Sequence, residues 1–206
     1  TLARRLVRHW HAQPAAGAWC LLDKDTLYGA YSAEVMGLLT GDPNDRDSPV
    51  YLQHLRDPEY RGLLDTARDN LATGGNGVVV GPLSREVRAH RLIDRAWLGV
   101  GPEVQISIVW VQLAEAEARR RIEQRAHPSD AWKLAHWDQY HPRLFRPEPA
   151  EYPELLMFDN TAAGAPEFDA LLADRLQQGF HGVAEFTDRH QPRDSGTALD
   201  GVQVAL

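Results

Sequence analysis

The sequence predicts an α/β fold in which a parallel sheet is covered by helices on both faces. Its apolar strand candidates are short, continuous runs without in/out alternation, as in strands buried on both faces. A segment of helical period follows almost every one, which is what crossovers between parallel strands require. Polar and charged residues collect directly after these runs, at the carboxyl ends where open α/β sheets bind ligands. Each crossover is expected to be right-handed.

Leu2, Leu6 and Trp10, with Ala3 and Val7 beside them, form one apolar stripe and predict a helix to about His11. Pro14 and Gly17 end it. Ala18-Trp19-Cys20-Leu21-Leu22 reads as a buried strand that stops at Asp23-Lys24-Asp25. A helix over 26–39 follows, closed by Gly41-Asp42-Pro43-Asn44, and 42–49 reads as a polar loop. Pro58-Glu59 opens a helix carrying Leu63, Leu64, Ala67 and Leu71, which Gly74-Gly75-Asn76-Gly77 stops. Val78-Val79-Val80 is the second strand, and a helix over 84–97 follows. Residues 104–113 are the longest strand candidate, and they feed a helix over 114–126. Ser129-Asp130 caps a further short helix through Tyr140. After a Pro-rich connection, Leu155-Leu156-Met157-Phe158 is the last strand, and 167–178 the last helix. The stretch 187–206 is polar and aperiodic and reads as a flexible tail. The expected organisation is one domain over 1–186, with 114–140 as a lid.

Composition sets the bounds on function. The 206 residues, 43% hydrophobic and 25% charged, are enough for one core without disulfides or structural metal. A formal net charge of −7 speaks against a dedicated nucleic-acid binder, whose affinity rests on neutralising phosphates. Cys20, the one cysteine, cannot form an internal disulfide. With no long apolar run and no signal peptide, the expectation is a cytoplasmic protein without a membrane partner. His9 and His11 point to different helix faces, His136 and His141 flank a helix end, and no Gly-x-Ser-x-Gly elbow occurs. Metal-protein and covalent-nucleophile chemistry are therefore disfavoured.

The residues that remain lie after the strands. They are Asp23, Lys24 and Asp25 after the first strand, Ser84 and Arg85 after the second, and Asp159-Asn160-Thr161 after the last. The 114–126 helix adds Arg119, Arg120, Arg121 and Arg125, of which Arg121 and Arg125 share a face. Carboxylates with several guanidiniums at one sheet edge suit a magnesium-bound, multiply charged anion such as a nucleoside triphosphate. The alternatives are a cap and a turn residue for the aspartates, and a solvated, salt-bridged face for the arginines beside Glu115, Glu117 and Glu123. Trp97, Trp110, Trp132 and Trp137 read chiefly as core or interface residues.

Thr1-Leu2-Ala3-Arg4-Arg5-Leu6 resembles the helix that follows a phosphate-binding P-loop, and Leu21-Leu22-Asp23-Lys24-Asp25-Thr26-Leu27 resembles the Asp-x-Asp end of strand 2 in small P-loop kinases. Trp110-Val111, Arg119 to Arg125 and Asp130-Ala131-Trp132-Lys133 resemble the strand, lid and lid-closing residues of bacterial P-loop kinases, often labelled AAA-family ATPases. Shikimate and gluconate kinases, chloramphenicol phosphotransferase and zeta-toxin-like kinases carry related segments. The resemblance implies a three-layer P-loop kinase-like fold, with ATP and Mg²⁺ as cofactors and a small-molecule alcohol as acceptor. The glycine-rich loop, its lysine and the strand before them, in this family the middle of the sheet, are absent from the chain. The expectation is a natural protein that begins a dozen or more residues upstream, enough for one strand and one P-loop.

On this resemblance Asp23 holds the magnesium and touches substrate, and Asp25 faces the acceptor hydroxyl as general base or positioning group. Arg121 and Arg125 close over the phosphates, joined by Lys133. Asn160 and Thr161 cradle the adenine, Thr1 lies at or just after the magnesium-binding hydroxyl, and Ser84 and Arg85 touch the acceptor. Two other readings stay open: a nucleotide-binding regulatory module without turnover, and a polynucleotide 5′-kinase, which the acidic balance disfavours.

Overall fold

The structure is a computed structural model and describes residues 2–13, 17–46, 48–141, 144–160 and 201–205. Its strands are β1 (Trp19–Asp23), β2 (Asn76–Gly81), β3 (Ser107–Gln112), β4 (Leu155–Asp159) and β5 (Gly201–Ala205). They form one sheet in the order β1-β2-β5-β3-β4. β1 pairs parallel with β2, placing Asp23 opposite Val80, and β3 pairs parallel with β4, placing Gln112 opposite Asp159. Because β5 pairs antiparallel with both β2 and β3, the carboxyl ends of β1, β2, β3 and β4 share one edge.

β5 departs from the expectation. It runs antiparallel between β2 and β3, with Gly81 opposite Val202 and Val111 opposite Gly201. The assignment of 187–206 to a tail is thus corrected for Gly201–Ala205, and the sheet is mixed rather than wholly parallel. A strand fills this place because the facing edges of β2 and β3 would otherwise bury unpaired backbone groups. It is the middle of the sheet, the position the resemblance reserves for a strand absent from this chain.

Helices cover both faces, and alternation along the strands divides the core between them. On one face α1 (Leu2–His11) buries Leu2, Ala3, Leu6 and Trp10 against Val78, Val109 and Phe158. On the other, Leu22, Val79, Ile108, Trp110 and Leu155 pack with Leu63, Leu64 and Ala67 of α4 (Arg56–Ala72) and with Leu83 and Val87. A smaller cluster of Met36, Tyr51 and Leu55 joins α2 (Lys24–Thr40) to α3 (Pro49–His54). The sequence pattern passes over α3, where Ser48 caps the backbone N–H of Tyr51.

The helix expected over 84–97 is broken. α5 (Ser84–Arg88) ends at Ala89, His90 adopts a left-handed conformation with φ 51°, and a 3₁₀ turn, Arg91–Ile93, leads to α6 (Arg95–Leu98). Asp94 caps α6 through the N–H of Trp97. The segment 114–140, expected as a lid, comprises α7 (Glu115–Arg125), a 3₁₀ turn Pro128–Asp130, α8 (Ala131–Ala135) and α9 (Trp137–Tyr140). Trp110 and Trp137 are buried, Trp97 is exposed, and the side chain of Trp132 lies outside the described residues. The helix read over 167–178 also lies outside the described residues.

Ala126 closes α7 at φ 48°, a left-handed position where glycine carries no Cβ penalty. Ala126→Gly is expected to raise stability by about 0.5–1 kcal/mol despite the added freedom of the unfolded chain, read as a higher midpoint in urea unfolding.

Candidate functional site

The chain turns directly from β1 into α2, and that junction builds the first half of the site. Asp23, the last residue of β1, adopts an extended conformation, and its Oδ1 accepts hydrogen bonds from the N–H groups of Asp25 (3.0 Å) and Thr26 (3.3 Å). It is therefore the helix cap that the plainer reading offered. Asp25 sits in the first turn with its side chain 81% exposed, and one oxygen lies 3.0 Å from Lys24 Nζ. Lys24 itself is buried and reaches Glu59 Oε2 of α4 at 3.3 Å. Glu59 is satisfied from two further sides, by the Tyr51 hydroxyl donating at 2.8 Å and by the Ser32 hydroxyl.

Burial alone would lower the pKa of Lys24, but Asp25, Tyr51 and Glu59 outweigh it and hold the ammonium above the ordinary lysine value. Burial pushes the Tyr51 hydroxyl up to about 12, with Lys24 opposing and Glu59 adding to the shift. Tyr51 therefore stays a protonated donor to Glu59 at physiological pH.

A second buried pair lies beside the first. Arg56 donates two parallel bonds of 2.9 Å to Glu86 of α5 and stacks 4.3 Å over the Tyr60 ring. Burial works against its charge, but the bonds and charge of Glu86 prevail and raise its pKa. Arg56 also bonds Asp57 at 2.9 Å, and the exposed Arg85 lies 3.9 Å from the same carboxylate. Ser84 turns back to the carbonyl of Pro82 at 3.1 Å. Asp23 thus ends β1, Asp25 follows it, Ser84 and Arg85 follow the adjacent end of β2, and Tyr60 lies between Lys24 (5.9 Å) and Arg56.

The basic residues of α7 and α8 form a separate group beyond β3 and β4. Arg121 donates to Glu117 Oε1 at 2.7 Å and to the carbonyl of Asn160 at 3.1 Å, tying α7 to the end of β4. Hydrogen bonds from Arg120 and then Arg121 pull the Glu117 carboxyl down to about 2. Arg119 pairs with Glu123 on the same helix. Arg125 donates twice to Asp130 Oδ2, at 2.9 and 2.6 Å, and Lys133 Nζ reaches Oδ1 of the same fully buried aspartate at 3.3 Å. Much of the arginine cluster is therefore salt-bridged to carboxylates of α7 and of the turn that follows it. Thr1 and Thr161 lie outside the described residues.

Asp130→Asn should loosen this clamp without unfolding the domain. Each charge-assisted bond contributes about 1–3 kcal/mol, discounted here because Arg125 is exposed, so amide exchange across 115–135 is expected to speed up about tenfold. Hydrogen-exchange mass spectrometry reads that change directly.

Among the described residues no group of three or more His, Cys, Asp or Glu side chains is placed to hold a metal ion. Magnesium needs no such cage, because it takes one or two carboxylates and completes its shell with phosphates and water. Asp23, with Asp25 beside it, is a donor set of that kind. No helix among the described residues is long and apolar enough to cross a membrane.

Glu59, Arg56 and Glu86 were not singled out from the sequence, and Lys24 was named there only within the Asp23-Lys24-Asp25 triplet, without a role. A signal was present nonetheless, since Glu59 precedes Leu63 by four residues and Arg56 precedes Tyr60 by four, which puts both charges on the apolar stripe of α4. A charge on a buried stripe needs a partner.

Comparison with known proteins adds the family. No curated protein and no solved structure matches the chain. Residues 1–147 match the family described as AAA domain, a P-loop NTPase-like family that includes small-molecule kinases. With the α/β sheet and the carboxyl-edge site already in place, the match covers well over half of the chain, and the protein belongs to this nucleotide-binding P-loop family.

Proposed function

We propose that the protein is an ATP- and Mg²⁺-dependent phosphotransferase acting on an alcohol group of a small molecule. The observation that carries this reading is the exposed Asp25 carboxylate, held by a buried cation at the carboxyl edge of the sheet, on the same edge as a guanidinium-rich lid. The acceptor oxygen attacks the γ-phosphorus, its new P–O bond forms as the bond to the ADP oxygen breaks, and its proton passes to Asp25. Transfer of this kind proceeds through a loose transition state, so most of the catalysis is positioning and charge neutralisation. Bound magnesium supplies neutralisation of the phosphate oxygens, and Asp23 is the residue that would hold it.

Arg121 and Arg125 supply the remaining positive charge, with Lys133 beside them. Arg125 and Lys133 must first leave Asp130, so nucleotide phosphates compete with that carboxylate for the two cations. In this reading Asn160, whose carbonyl Arg121 holds, and Thr161 would serve the adenine, and Ser84 and Arg85 the acceptor. The acidic charge of the chain disfavours a polynucleotide acceptor.

The test is incubation with Mg²⁺ and γ-labelled ATP and a pool of small hydroxylated metabolites. The expected result is label in an organic product, unaffected by short oligonucleotides. Label on oligonucleotide 5′ ends would replace the acceptor class, and ATP binding without transfer to any acceptor would replace catalysis by a regulatory role.

A further inference from the structure

We propose that Lys24 is a positioning residue of this site, whose ammonium, anchored from below by Glu59, holds the Asp25 carboxylate in the orientation it presents to an acceptor hydroxyl. The proposal rests on the reading of Asp25 given above and adds a second residue to it.

The geometry is a column of charges running from core to surface. At its base Glu59 is buried and accepts from Ser32 of α2, Tyr51 of α3 and Lys24. The Lys24 ammonium comes next, 3.3 Å from Glu59 Oε2, and Asp25 stands on top, 3.0 Å from the same nitrogen. Tyr60 flanks the ammonium at 5.9 Å.

A mobile surface ion pair contributes little, because ordering a long side chain offsets most of the attraction. Here that cost falls on the fold, since Glu59 and burial fix the lysine before Asp25 is considered. Asp25, by contrast, is 81% exposed and projects from the first turn of a helix, so among the described residues its carboxylate is restrained from the core by this ammonium. Neutralising Glu59 alone would not call for contact with a surface carboxylate. A core built for stability would do as well or better with apolar residues at both positions.

The test compares wild type with Lys24→Met/Glu59→Gln, Lys24→Arg and Asp25→Asn. Removing both buried charges at once avoids stranding the Glu59 carboxylate, and the replacing amide offers an oxygen to one of the Tyr51 and Ser32 hydroxyls and an N–H for the other to accept. The double variant should therefore melt within about 5 °C of wild type. Two readouts follow. The first is phosphate release from Mg-ATP, with water standing in for the acceptor. The second needs no turnover: carbodiimide-driven coupling of glycine ethyl ester to Asp25, scored by mass spectrometry against Asp23 in the same peptide.

In the double variant the release rate should fall about tenfold at unchanged KM for ATP, and Asp25 should label severalfold faster. Lys24→Arg should recover part of both. A folded double variant with wild-type labelling and release, beside an inactive Asp25→Asn, would overturn the role of Lys24 and leave Asp25 standing. Wild-type release in Asp25→Asn would overturn the reading of Asp25 itself, and this proposal with it.

Discussion

Asp25→Asn is expected to lower the rate of phosphoryl transfer by about 10²-fold or more while leaving the Kd for ATP within a factor of about two. General-base contributions run from about 10² to 10⁴, and a loose transition state draws on the lower part of that range, since the acceptor proton leaves late. Asparagine keeps the size of the side chain and an oxygen for Lys24, so the change removes the proton acceptor without opening a gap. The cap of α2 stays intact, because it depends on Asp23. Single-turnover transfer measured beside equilibrium ATP binding separates the two quantities. Transfer at the wild-type rate would remove Asp25 from the chemistry, and a parallel loss of ATP binding would place it on the nucleotide instead.

The aspartates were legible because of where they stand. Leu21-Leu22 is an apolar run too short for a helix, and a charged triplet directly after such a run marks the ligand edge of a parallel sheet. The same logic found β2 and β4, and it found α1 from its stripe of Leu2, Leu6 and Trp10. It could not find β5. Val202 and Val204 alternate with Gln203 over only five residues, and their partners in β2 and β3 lie roughly ninety or more positions away, so no local pattern reveals the pairing. Nor could it foresee the break at His90, where a non-glycine residue takes a left-handed turn inside a segment of good helical composition.

The buried half of the site was hidden for a different reason. Lys24 stands between two aspartates, and a Lys flanked by charges reads as solvated. Arg56, Asp57 and Glu59 read as the charged opening of a helix, favourable near its positive end. Only the later apolar residues of α4 reveal that Arg56 and Glu59 share their face. The family resemblance brought the arginines of α7 forward, and the structure shows what composition also said of them: Glu117, Glu123 and Asp130 already hold the four arginines of α7.

Arg56→Met is expected to destabilise the fold by about 3–5 kcal/mol, roughly 6–20 °C in Tm for a domain of this size. Both side chains of the Arg56–Glu86 pair are about nine-tenths buried, and their two parallel bonds satisfy both groups. Removing the arginine leaves Glu86 with a buried carboxylate and no cation, and it also strips the Tyr60 ring of its stacked guanidinium. Arg56→Met/Glu86→Leu should recover most of the loss, because an apolar pair of similar volume avoids the desolvation that the ion pair must offset. Differential scanning calorimetry on the two variants gives the comparison. The pair also ties α4 to α5 across the end of β2, next to Ser84 and Arg85, so the rescued double variant should still bind acceptor more weakly than wild type. A double variant that recovers both melting and acceptor affinity would make the pair an element of the fold alone, and a single variant that melts like wild type would show that water reaches Glu86 in its place.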